Sequence, residues 1–193
     1  MLDTAPRAKL TRRSWLGVCL AAPIVAATTS LPAPALARSK AKGIERVLSF
    51  HHQNTGESLT VAYKADGRLI PENLLRIDHL LRDWRSNEVK HIDPDLLDLL
   101  WDLQRKLEVE ERISVLSGYR TPATNAMLRR RRRGVASNSF HMKGQAIDLR
   151  IAGRSTKQIR NAAVALNRGG VGFYPTSGFV HVDTGAPRTW RGV

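Results

Sequence analysis

Residues 44–193 predict an α+β fold, a small antiparallel sheet packed with helices, and three observations lead there. Two apolar-alternating runs flank a turn sequence near residue 55. Two leucine-rich stretches of helical period then follow one another. Two further strand patterns enclose one more helix. Helices gathered around an antiparallel core define the class.

The first hairpin pairs Val47-Leu48-Ser49-Phe50 with Leu59-Thr60-Val61-Ala62-Tyr63 around Asn54-Thr55-Gly56-Glu57. Pro71 opens a helix whose broad face carries Leu74, Leu75, Ile77, Leu80, Leu81 and Trp84. Asp93-Pro94 opens a second, with Leu96, Leu97, Leu100, Leu103 and Leu107. A short buried strand, Ile113-Ser114-Val115-Leu116-Ser117, stops at Gly118. Thr121-Pro122 begins a third helix that runs into the arginines at 129–133 and ends at Gly134. Residues 145–151 and 179–183 read as strands, with a helix over 155–167 between them.

Upstream of this domain the composition changes. Lys9, Arg12 and Arg13 precede a mostly apolar run to Ala27, then Pro32, Pro34 and a small-x-small site at Ala35-Leu36-Ala37. Residues 1–37 therefore read as a signal peptide cleaved after Ala37, and the paired arginines before Ser14-Trp15-Leu16 indicate the twin-arginine type. The apolar run falls short of the roughly 20 residues that a membrane-spanning helix needs. Residues 38–43 form a short solvated lead-in, and 44–193 a single domain.

The chain has 31 basic and 17 acidic residues; four and one of these precede residue 38, which leaves 27 and 16 and a net charge of +11. The one cysteine, Cys19, falls in the leader, so the exported chain has neither a disulfide nor a thiolate ligand. The 156 residues that remain can bury one core without staples.

Chemistry concentrates in Ser139-Phe140-His141-Met142-Lys143-Gly144-Gln145-Ala146-Ile147-Asp148 and in Phe179-Val180-His181-Val182-Asp183. Strand parity puts Ala146, Asp148 and Arg150 on one face of 145–151, opposite Ile147, Leu149 and Ile151. In 179–183 it puts His181 and Asp183 opposite Val180 and Val182. If the two strands are neighbours, Asp148 and His181 project into the same cleft. His141 lies an odd seven residues before Asp148, and Gly144 supplies the bend that returns it to that face. Two imidazoles and a carboxylate, with a fourth position for water, have the composition of a catalytic zinc site.

The pattern Ser-x-His-x-x-Gly-x-Ala-x-Asp followed by a later His resembles the zinc D-Ala-D-Ala carboxypeptidase and murein endopeptidase family, nearest its YcbK-type periplasmic branch. The resemblance covers nearly all of the chain after residue 42. It implies a hedgehog/DD-peptidase-like fold with Zn2+ held by His141, Asp148 and His181 on the sheet. It also implies an activated water that attacks the peptide carbonyl. Ser117-Gly118-Tyr119-Arg120 resembles the segment whose arginine meets a substrate carboxylate or polarises a carbonyl. Ser139 would give a hydrogen bond near the metal, and Tyr174 would line the cleft or pack a turn.

The chain departs from the family at one place. Many relatives carry an acid three residues before the last histidine, or a histidine two before it, where this chain has Gly178 and Phe179. Asp183 is the nearest acid and is expected either to act as the general base or to orient a ligand.

The other histidines, His51, His52, His79 and His91, have no ligand spacing and are expected to be structural or solvated, and Trp190 to be core. No His-Glu-x-x-His motif occurs, which disfavours the helix-based metalloproteases. The arginine run at 129–133 offers electrostatic contact with anionic envelope polymers, or is a solvated helix end. No nucleic-acid-binding motif accompanies it.

The expected function is thus a zinc metallopeptidase, monomeric and periplasmic, that hydrolyses the stem-peptide cross-links of peptidoglycan. Endopeptidase action is favoured over carboxypeptidase trimming. The alternatives are a non-catalytic wall-binding module that keeps the zinc, and a weaker one, a binder of anionic polymers.

Overall fold

The computed structural model describes residues 44–131 and 134–192. The signal peptide and lead-in expected over 1–43, and Arg132 and Arg133 of the arginine run, lie outside the described residues. Among the described residues, eight strands form one sheet: β1 (Arg46–His52), β2 (Ser58–Ala65), β3 (Arg68–Leu69), β4 (Ile113–Ser117), β5 (Ala146–Ile151), β6 (Gly170–Tyr174), β7 (Phe179–Asp183) and β8 (Arg188–Arg191). Among the same residues α1 (Pro71–Leu80), α2 (Pro94–Lys106), α3 (Pro122–Arg131) and α4 (Thr156–Leu166) accompany them, with a 3-10 turn at Phe140–Lys143.

The α+β class holds, but the sheet is larger than expected and mixed. Its order is β3-β2-β1-β4-β5-β7-β6-β8. Two of its pairings are parallel, β1 with β4 and β6 with β8. A parallel neighbour needs a crossover, and α1 and α2 lie within the connection that leads to β4. Strand β8 instead returns along the free edge of β6 after the β6–β7 hairpin.

Local chemistry sets the helix ends. Asp93 caps α2 by accepting from the Asp95 amide, with Pro94 in the first turn. Ser155 and Gln158 form a reciprocal capping box at the start of α4. Helix α1 stops at Leu80, although the apolar pattern continues to Trp84. The competing partner is Asp83, whose amide pairs with the Glu88 carbonyl and whose carbonyl accepts from Asn87.

The core is continuous. Leu48 and Phe50 of β1, Ile147, Leu149 and Ile151 of β5, and Val180 and Val182 of β7 are buried with Leu74, Ile77 and Leu80 of α1, the leucines of α2 and Ile159 of α4. Leu75, expected on the apolar face of α1, is instead exposed. On β5 the alternate residues Asp148 and Arg150 are only half buried, so the side of β5 opposite the core is the one available for chemistry.

Candidate metal centre

The first ligand candidate owes its place to a turn. Ser139 caps the 3-10 turn, its Oγ accepting from the His141 amide at 3.3 Å. Gly144 ends it in the left-handed region, φ 71°. A side chain at Gly144 would also collide with the His91 carbonyl oxygen, so only glycine closes this turn without strain. The bend expected at Gly144 is present, and it returns His141 to the face of Asp148.

Strands β5 and β7 are antiparallel neighbours, with Asp148 directly opposite His181. Three ligand atoms converge there. His141 Nε2 lies 3.1 Å from His181 Nδ1 and 3.2 Å from Asp148 Oδ1, and His181 Nδ1 lies 2.9 Å from Asp148 Oδ1. Three tetrahedral ligands with bonds of about 2.0–2.1 Å would stand about 3.3 Å apart, so this triangle is close to the size that zinc requires. The outer nitrogen of His141, Nδ1, donates to the Gly118 carbonyl at 2.7 Å, which turns the Nε2 lone pair inward. This group of two nitrogens and a carboxylate oxygen, mutually facing, with both imidazoles buried and Asp148 half buried, could hold a metal ion.

Electrostatics divide the two imidazoles. Burial, reinforced by the nearby Arg120 charge, lowers the His141 pKa to about 4. Burial acts in the same direction on His181, but hydrogen bonds to Asp148 and Asp183 outweigh it and raise the pKa above the ordinary histidine value. Burial opposes ionisation of Asp148, yet the two histidines hold its pKa well below the usual range.

Around the triad lies a cleft of about 810 Å³. Arg120 reaches it from the segment after β4, with Nη2 3.6 Å from Asp148 Oδ2. Its Nε is buried with no hydrogen-bond partner among the described residues. Tyr174 stacks on Phe179 with ring centroids 4.4 Å apart, and its hydroxyl accepts from Trp190 Nε1 at 3.0 Å. Both rings line the cleft, as does Trp190, 5.2 Å from the His181 ring. Trp190, expected in the core, thus forms cleft wall, because the pairing of β8 with β6 carries it there and Gly172 leaves room for its indole.

The turn before β7 holds Gly178 and leads into Phe179. Gly178 has φ 69° and its carbonyl accepts from Arg150 Nε, while the Ser177 carbonyl accepts from Arg150 Nη2. Phe179 belongs to the aromatic wall. The only carboxylates lining the cleft, among the described residues, are Asp148 and Asp183.

Of the remaining histidines, His52 is fully buried and His91 bonds to Asp78. His51 bonds to Ser58, and His79 lies 4.0 Å from Glu57. Arg129, Arg130 and Arg131 are exposed at the end of α3, whose Leu128 lines the cleft. Arg85 and Arg188, which the sequence patterns did not single out, also line it. Neither lies in a recognisable motif, and only the tertiary fold brings them to the site.

Two histidines and an aspartate meeting on a sheet face, beside a buried arginine and an open cleft, make up the kind of centre found in metal-dependent hydrolases. The chain belongs to the peptidase M15 family, in the branch described as peptidoglycan L,D-endopeptidase MepK, whose family model matches residues 40–190. It is 43% identical over 190 residues to the "Probable peptidoglycan L,D-endopeptidase MepK" of Haemophilus influenzae, covering 94% of this chain and 96% of that one. It is 45% identical over 175 residues to the peptidoglycan L,D-endopeptidase MepK of Escherichia coli K12, covering 90% and 92%. No solved structure matches it.

Proposed function

We infer that the protein is a zinc-dependent murein endopeptidase that hydrolyses peptide cross-links in peptidoglycan. The observation that carries this reading is the convergence of His141 Nε2, Asp148 Oδ1 and His181 Nδ1 in an open cleft beside Arg120. The names of the relatives support the substrate and an L,D bond as the one cut. Zinc suits the two-nitrogen, one-oxygen donor set; when bound it supplies an activated water and polarises the scissile carbonyl.

The chain's own residues divide the remaining work. Arg120, charged and lining the cleft, binds a substrate carboxylate or carbonyl oxygen through its guanidinium. Tyr174, Phe179 and Trp190 form one wall against which the stem peptide packs. Ser139 holds the turn that carries His141.

No helix among the described residues is long and apolar enough to cross a membrane. An envelope location follows from the substrate named in the relatives. We assign export to the periplasm by the twin-arginine route, with residues 1–37 as signal peptide and 44–193 as a single, monomeric peptidase domain. The arginines that end α3 add electrostatic contact with anionic envelope polymers, and no nucleic acid is involved.

The test is to incubate the zinc-loaded protein with cross-linked muropeptides and to analyse the products by mass spectrometry, with His181→Ala alongside. Monomeric stem peptides from the wild type alone support the peptidase, and the fragment masses identify the bond. Intact dimers in both samples, with zinc bound to the wild type, would favour the non-catalytic wall-binding module. The lack of a free carboxylate in the cleft is the observation behind that second reading.

A further inference from the structure

Asp183 sits beside the metal centre with every direction of approach occupied. It is fully buried. Its Oδ1 accepts from the Gly170 amide at 3.1 Å, the Gly185 amide at 2.9 Å and Arg188 Nη1 at 3.0 Å. Its Oδ2 accepts from Arg188 Nη2 at 2.6 Å and faces His181 Nε2 at 3.0 Å. The arginine fork is bidentate, the strongest and most directional form of this pair. Gly170 and Gly185 close over the pair, since a side chain at either would run into Asp183 and Arg188.

Arg188 is itself held in place. Its guanidinium carbon lies 5.1 Å from the ring centroids of both Phe140 and Trp190. Phe140 belongs to the turn that carries His141, and Trp190 stands beside His181. One arginine therefore links Asp183 to the turn that carries His141 and to the indole that stands beside His181.

We propose that Asp183 and Arg188 are a positioning pair that fixes His181 as an Nδ1 ligand, and that Asp183 does not serve as the general base. The nitrogens decide it. His181 presents Nδ1 to Asp148 and His141, so the proton on Nε2 must go to Asp183, the one acceptor it meets among the described residues. His141 binds through the opposite nitrogen and rests its outer N–H on a neutral carbonyl. The centre thus has one imidazole backed by a carbonyl and one backed by a carboxylate. The latter is the more basic donor, because a carboxylate acceptor pushes electron density through the ring. A proton acceptor must reach the reacting water, whereas both oxygens of Asp183 are spent behind the ligand.

This inference rests on the metal reading above, and the experiment separates the two. Zinc dissociation constants are measured by competition with a chromophoric chelator for the wild type, Asp183→Asn and Arg188→Met, together with kcat at saturating zinc. Positioning predicts that Asp183→Asn weakens zinc by about 10–100-fold, that Arg188→Met weakens it in the same direction, and that excess zinc restores kcat to within about tenfold. Wild-type zinc affinity in Asp183→Asn overturns the proposal, and so does a kcat that stays collapsed at saturating zinc, the behaviour of a lost base. Should Asp183→Asn fail to fold, Arg188→Met carries the comparison, since its side chain is 42% exposed. A wild type that binds no zinc would sink the metal centre itself, a result distinguishable from unchanged affinity between variants.

Discussion

His141 and His181 meet edge to face, ring centroids 4.9 Å apart, and turn opposite nitrogens toward each other. Without a cation between them, that contact leaves two nitrogens and a carboxylate oxygen sharing too few protons. Metal should therefore stabilise the fold as well as complete the site. We expect chelator to lower the Tm of the wild type and to leave that of His141→Ala unchanged, because a ligand that binds only the native state adds stability through its occupancy. Differential scanning fluorimetry with and without chelator checks it.

The two imidazoles also predict a proton count. His141, with its pKa lowered to about 4, is already neutral at mildly acidic pH, whereas the His181 pKa is raised above its ordinary value. Below that raised value the Nδ1 proton of His181 must leave before metal can bind. Metal uptake by the apoprotein at pH 6 should release about one proton, and the apparent affinity should fall by about tenfold per unit as the pH drops further. Calorimetry in buffers of different ionisation enthalpy measures the proton directly.

Arg120 offers a fork where a point charge would not serve. Arg120→Lys should keep its zinc yet lose about 10²-fold in kcat/KM, because an ammonium does not reproduce bidentate hydrogen bonding. Stoichiometric zinc beside a normal kcat/KM in the lysine variant would contradict this role.

Gly144→Ala combines a left-handed backbone with a collision against the His91 carbonyl oxygen. The backbone term alone is about 1–2 kcal/mol. Because the same turn carries His141, the variant should lose stability and zinc affinity together, with Tm lower by about 5 °C or more. Thermal melts paired with zinc titration test the linkage.

Asp83 connects acid stability to the cleft. Fully buried, it accepts from both the amide and the hydroxyl of Thr121, the residue after Arg120. Burial would raise its pKa, but hydrogen bonds from Thr124, Thr121 and the Arg85 amide outweigh that and lower it. A lowered carboxylate pKa contributes stability that is fully present above the unfolded value of about 3.9 and is lost as pH falls through the folded value. Asp83→Asn should cost about 2 kcal/mol at pH 7. The gap between variant and wild type should narrow as the pH is taken below 3.9, as denaturant titrations at both pH values would reveal.

The convergence of His141, Asp148 and His181 was legible because strand parity and a decamer with its own glycine bend constrain it locally. Asp148 and His181 had only to be placed on neighbouring strands. Helices α2 and α4 were legible for the same reason, since their caps and apolar faces lie within one stretch of chain. What escaped was non-local. The end of α1 is decided by Asp83, whose hydrogen bonds reach Glu88 and Thr121. Strands β3, β6 and β8 are short or glycine-bearing, and nothing in 188–191 says that it pairs in parallel with 170–173. Arg188 and Trp190 reach the site only through that pairing, so no motif could have flagged them.

The position of β8 in the chain has a consequence for synthesis. The polypeptide emerges from its N-terminal side, so His141 and Asp148 appear before His181, and the Arg188 clamp and Trp190 come later still. A nascent molecule that has reached β7 carries all three candidate ligand groups and Asp183, but not the arginine that clamps Asp183. On the proposed reading, tight metal capture should therefore await the arrival of the last strand. A molecule interrupted before β8 should hold its metal more loosely than the finished protein, so the last strand to appear sets how firmly the centre closes.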